Sequence, residues 1–237
     1  MPPRTATTQT ARARALGFTL IEVLVAIGIM ALMAVMSWRG IDTMLRTQTG
    51  LQQRSDQVRT LQAGLAQWQT DLNRLSGLQS TPSWDWDGKV LRLTRDDLPA
   101  SDGVRVVAWT WRADGNRPGG GDWLRWQSPA VQTRATWQQA WQNARLWSQS
   151  PSSDLRAAEV SVHPLAGWQL FVHRGGSWTH PLSSDTVATP DSPAKTADVP
   201  DGVRLVLDLP AAGPAAGPVA GRLTLDWVRP TLSGSGA

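Results

Sequence analysis

Apolar residues run almost without interruption from Phe18 to Met36, where only Thr19 and Glu22 are polar. At 1.5 Å per residue this run makes a helix of about 28 Å, enough to cross a hydrocarbon core of about 30 Å. Beyond it the pattern narrows to a stripe. Ile41, Met44, Leu45, Gln48 and Leu51, then Val58, Leu61, Leu65, Trp68, Leu72 and Leu75, recur at helical spacing. The helix is expected to continue to about Ser76 and Gly77, giving a rod of roughly 58 residues and about 87 Å. Gly50 and Gly64 each weaken it by about 1 kcal/mol relative to Ala, so either marks a bend or a close contact. An isolated coiled coil is disfavoured, because charges do not regularly flank the seam.

Past Pro82 the period changes to two, with aromatic and β-branched residues bounded by turns. This pattern predicts strands at Lys89–Leu93, Gly103–Trp111, Trp123–Gln127, Glu159–His163, Trp168–His173, Val203–Leu209 and Arg222–Val228. Residues 131–147 fit two descriptions, with Trp137, Trp141 and Trp147 either on a short helix or interleaved on a sheet. The tryptophans read as core. "DWDGK", Asp85 to Lys89, reads as an Asp-Gly turn; a calcium loop would need further ligands and a distal Glu. Residues 182–200 and 210–221 lack periodicity and read as loops. The fold class is therefore α+β: a long N-terminal helix, its first part transmembrane, packed on a C-terminal antiparallel β-rich domain. The expected divisions are 1–17, a membrane helix over 18–36, its amphipathic continuation over 37–77, and the β-rich domain over 78–237.

Charge adds direction to the membrane run. Arg4, Arg12 and Arg14 precede Gly17 and no further basic residue follows until Arg39. The positive-inside rule keeps the leader in the cytoplasm and exports the body. Removing the leader's three arginines lowers the formal net charge from +4 to +1, which leaves no basic footprint for nucleic acid. The absence of cysteine removes disulfide and thiolate chemistry without reporting a compartment. A cleavable secretory signal would have a shorter apolar region and a small-residue site after it, and an ordinary signal anchor is the other plain alternative.

The order of residues at the membrane run separates these readings. A basic leader is followed by Gly17, Phe18, Thr19, Leu20 and Ile21, with Glu22 at the fifth place after the glycine. This resembles the type IV prepilin class, which includes the type II secretion pseudopilins. The resemblance implies cleavage between Gly17 and Phe18 by a prepilin peptidase and N-methylation of Phe18. It also implies that the Glu22 carboxylate meets a neighbouring subunit's amine in a filament. The pair would offset the desolvation of both charges only in one axial register. The alternative is a carboxylate that snorkels to the headgroups or is protonated.

Within the class, "SWRGIDTMLRT" (Ser37 to Thr47), "QTDLNRL" (Gln69 to Leu75), "GWQLFVHRGGSW", "VPDGVRLVLDL" and "GRLTLDWV" are most similar to the J-type minor pseudopilins. Residues 78–147 depart from that family's spacing and are unusually dense in Trp. The resemblance implies an inner-membrane, single-pass subunit with its body in the periplasm. Its expected work is to prime the tip of a pseudopilus that exports folded proteins. The implied partners are the I-type and K-type minor pseudopilins and the major pseudopilin, met through a helix face at Ile41, Met44, Leu45 and Leu51. A minor pilin of a type IV pilus is the alternative.

Signals for catalysis are thin. His163, His173 and His180 lack the spacing of a helical metal pair, although on strands His163 and His173 could face each other. No nucleophile elbow or phosphate-cradling loop accompanies them. The chain is expected to be a non-enzymatic subunit without metal or cofactor, and an anchored periplasmic hydrolase is the rival.

Overall fold

The computed structural model describes residues 18–78, 81–97, 103–183, 199–210 and 220–230. The leader and most of the two expected loops, 182–200 and 210–221, lie outside them. A single helix, α1 (Leu20–Asn73), carries both the apolar run and the stripe. Two compact units divide the chain within it, one ending at Gln52 and the other beginning at Gln53.

The second unit holds two antiparallel sheets. Sheet A is a meander of β1 (Trp84–Trp86), β2 (Val90–Asp96), β3 (Val104–Ala113), β4 (Gly121–Gln127) and β5 (Glu159–Leu165), in that spatial order. Two helices, α2 (Arg134–Gln149) and α3 (Ser153–Ala157), connect β4 to β5. Sheet B comprises β6 (Gly167–Arg174), β7 (Ser177–Thr179), β8 (Gly202–Leu209) and β9 (Gly221–Val228), ordered β7-β6-β8-β9. The long strands lie where the two-residue period predicts them. Short β1 and β7 escape that reading because three residues carry too little pattern.

Strand alternation explains the density of tryptophan, because sheet A is buried on both faces. One face sends Leu91, Leu93, Val107, Trp109 and Trp123 toward Leu61, Trp68 and Leu72 of α1 and the inner residues of sheet B. The opposite face sends Val90, Val106, Ala108, Leu124 and Trp126 against Trp137, Ala140, Trp141, Ala144 and Trp147 of α2. Large aromatic areas on either side of one sheet thus make two cores. Residues 134–149 settle as a helix because Thr133 caps it, its side chain and that of Thr136 bonding reciprocally to each other's backbone N–H.

Two local differences from the expected pattern have backbone causes. Helix α1 ends at Asn73 rather than at Ser76 and Gly77, because the next residues pair with β2: Ser76 N–H donates to the Thr94 carbonyl and Asp96 N–H to the Arg74 carbonyl. His163 and His173 do not face each other. The chain leaves sheet A at Leu165 and enters sheet B at Gly167, with Ala166 N–H donating to the Asp208 carbonyl between them. His163 therefore lies opposite Trp123, and His173 opposite Trp178 and Gly202. The Asp-Gly turn is present. Asp87 Oδ1 accepts from the N–H groups of Lys89 and Val90, and Gly88 takes a φ of +93°.

Burial holds the His163 imidazole below its ordinary pKa. The unfolded chain then takes up this proton at a higher pH than the folded one. The resulting stability is complete above about pH 6.5 and is lost as pH falls toward the folded-state pKa. Thermal melts of His163→Gln should lose less stability than wild type between about pH 7.5 and about pH 5; parallel profiles would remove His163 from the acid response.

Candidate functional site

At the start of α1, Thr19 and Glu22 form a closed local arrangement. Thr19 donates to Glu22 Oε2 through both its backbone N–H, at 2.9 Å, and its hydroxyl, at 2.8 Å. In return Glu22 N–H donates to the Thr19 carbonyl at 3.1 Å and lies 3.4 Å from its hydroxyl oxygen. This is a capping box, which satisfies amide donors that a helix start leaves without partners. The T-x-x-E spacing ahead of an apolar run is its sequence signature, and reading Glu22 only as a membrane charge misses it. Oε1 of Glu22 has no hydrogen-bond partner among the described residues.

Around this site the helix is bare. Phe18, Leu20 and Ile21 are exposed, and so are the side chains through Met36; by length and composition α1 is long and apolar enough to cross a bilayer. Ile41, Met44, Leu45 and Leu51 are also exposed, at 57%, 72%, 57% and 61%. Leu61, Trp68 and Leu72, farther along the same helix, are buried within the second unit. Ile41, Met44, Leu45 and Leu51 are thus an exposed part of the stripe in the first unit, and Leu61, Trp68 and Leu72 a buried part in the second. Gly17 lies outside the described residues.

The comparison with known families bears on this same stretch. Residues 12–38 match the prokaryotic N-terminal methylation motif. The chain carries a type IV prepilin-like leader. The match includes Gly17, Phe18 and Glu22 and ends just past the apolar run, and the β-rich body lies outside it. No curated protein and no solved structure matches the chain.

The body supplies a second polar centre that the sequence reading did not single out. Asp71, fully buried on α1, accepts from five donor atoms. Arg95 Nη1 and Arg125 Nη2 reach Oδ1 at 2.9 Å and 3.0 Å, and Gln67 Nε2 reaches it at 2.9 Å. Arg125 Nε and Trp109 Nε1 reach Oδ2 at 2.8 Å and 2.9 Å. One carboxylate thereby ties the helix to β2, β3 and β4. Burial draws the Arg95 pKa below its ordinary value, an effect that Asp71 opposes. The signal available in the sequence was an acid between Trp68 and Leu72 on an otherwise apolar face. Among the described residues, no group of three or more His, Cys, Asp or Glu side chains could hold a metal ion.

Proposed function

We propose that this chain is a minor pseudopilin of a type II secretion system: a non-enzymatic subunit that primes the tip of a periplasmic pseudopilus and helps export folded proteins. The observation that carries the reading is the methylation motif over residues 12–38, joined to a long apolar helix and an antiparallel β body. The expected course is insertion in the inner membrane with the body in the periplasm, cleavage after Gly17 by the prepilin peptidase, and N-methylation of Phe18. The proposed partners are the I-type and K-type minor pseudopilins and the major pseudopilin. The exposed face at Ile41, Met44, Leu45 and Leu51 is their proposed contact, since covering apolar area contributes about 25 cal/mol per Å2. Intact-mass measurement on the membrane-extracted protein should give a chain that starts at Phe18 and carries one added methyl group. An uncut leader, or a start beyond Met36, would overturn the processing.

Glu22 is the proposed register residue, its carboxylate meeting the Phe18 amine of an adjacent subunit. The capping box makes the test selective. Glu22→Gln keeps a capping residue of the right shape and loses the charge, whereas Glu22→Ala loses both. If pairing matters, both variants should be cleaved normally yet recover far less of the other minor pseudopilins on co-purification. Leaving the amine unpaired costs about 3–5 kcal/mol when fully buried, and less where headgroups or water reach it. If Glu22 serves only as a cap, Glu22→Gln should behave as wild type and only Glu22→Ala should weaken. A deletion strain distinguishes the systems: lost exoproteins with intact surface pili support secretion, and lost pili with normal secretion would transfer the chain to a type IV pilus.

A further inference from the structure

The four outer edges of the two sheets are not alike. In sheet A, β1 offers three residues, and β5 carries both Pro164 and a register shift opposite Trp123 and Leu124. In sheet B, β7 also offers three residues. Short strands, bulges and prolines all blunt an edge against further pairing. The remaining edge, β9, is eight residues long, contains no proline and pairs with β8 along its whole length without a shift.

Among the described residues nothing pairs with the side of β9 turned away from β8. Arg222, Thr224, Asp226 and Val228 are exposed on the outer face. Leu223 and Leu225 point toward the core that contains Trp227, yet they are only half-buried. Among the described residues the core beneath this edge is only half-covered, and an added strand would cover it further.

The charges on β9 indicate which strand fits. Two copies of β9 laid antiparallel about a two-fold axis keep their core-facing residues on one side only when core-facing residues lie opposite each other. Among such registers, centring Thr224 on its own counterpart sets Arg222 opposite Asp226 of the second copy, Asp226 opposite Arg222, and Leu223 opposite Leu225. Centring on Arg222 or Asp226 stacks like charges. Centring on Leu223 or Leu225 leaves both charges opposite neutral residues. The Thr224 register also extends pairs already present, Arg222 with Asp208 at 2.8 Å and Arg204 with Asp226 at 2.7 Å. The joined outer face would carry an alternating row of Asp208, Arg222, then Asp226 and Arg204 of the second copy.

We propose that β9 is a self-pairing edge through which two copies of this chain join their B sheets into one continuous sheet. The inference does not depend on the filament reading, because it rests on the body alone. The test uses the full chain in detergent or nanodiscs, and the absence of cysteine makes each introduced thiol unique. Thr224→Cys places one thiol at the two-fold axis, so mild oxidation should give a disulfide-linked dimer. Ser161→Cys, on the β5 edge, should stay largely monomeric under the same conditions. Adding Leu223→Lys to Thr224→Cys places a charge facing inward at the edge and should cut the dimer yield at least tenfold. Crosslinking of Thr224→Cys no faster than Ser161→Cys would overturn the proposal, and so would a yield indifferent to Leu223→Lys. Association through α1 alone would produce the first of these outcomes.

Discussion

Replacing Asp71 with alanine is expected to destabilise the body by about 3–5 kcal/mol, the cost of breaking a buried ion pair by removing one partner. The cause is the pair of guanidiniums left behind. Arg95 and Arg125 keep only about a tenth of their side-chain surface exposed, 11% and 10%, so water cannot replace the lost carboxylate. Trp109 Nε1 and Gln67 Nε2 lose their acceptor in the same step. Asp71→Asn should fall nearly as far, because its amide N–H2 would point a donor at arginine donors. For a unit of this size the loss lowers the melting temperature by roughly 6–20 °C. Calorimetry of wild type and both variants at matched pH checks it. Pairing Asp71→Leu with Arg125→Met should cost less than the two single changes summed, since each removes the other's unsatisfied partner. A loss below about 1 kcal/mol in both single Asp71 variants would mean that the arginines find other acceptors.

Gly64→Ala is expected to reverse the usual sign of a glycine-to-alanine change in a helix. On an open helix face alanine stabilises by about 1 kcal/mol, and Gly50→Ala should do so, since nothing lies within 4 Å of the Cβ it would carry. At Gly64 the added Cβ would overlap Val162 Cγ1 and sit 3.3 Å from the Trp123 ring. Val162 cannot swing aside easily. It is the extra residue at the register shift between β4 and β5, where Trp123 pairs with His163 and Leu124 with Ser161. The bulge brings Val162 into the core against α1, and α1 can approach because residue 64 has no side chain. Overpacking there costs about 1–3 kcal/mol. Denaturant unfolding of Gly50→Ala, Gly64→Ala and Gly64→Ala with Val162→Ala should rank the first as most stable, the second as least, and the third between them. Equal behaviour of the two single variants would refute the close-contact role.

How far the molecule could be read from its residues differs between the helix and the body. The apolar run, the stripe from Ile41 to Leu75 and the long strands are local patterns, and each follows from the periodicity of one element. The prepilin-type leader was equally legible, because its residues are contiguous: Gly17, Phe18 and Glu22 stand in a short fixed order, and the family match covers that same stretch. Even the capping box at Thr19 and Glu22 was available there. The tryptophans at 137, 141 and 147 could be assigned to core but not to which core, since periodicity sorts side chains to faces without saying what covers each face.

What depended on folding are relations between residues far apart in the chain. Asp71 meets Arg95, Arg125 and Trp109 only because α1 lies across three strands, and no spacing in the sequence encodes that crossing. Gly64 was marked as a bend or a contact. The bulge at Val162, nearly a hundred residues away, makes it a contact. The change of sheet at Ala166 separated two histidines that strand geometry alone allowed to meet. Periodicity reports which face of an element is apolar, because that depends on its own backbone repeat. The partner of that face is chosen by packing and burial across the whole body, and those act through space rather than along the chain.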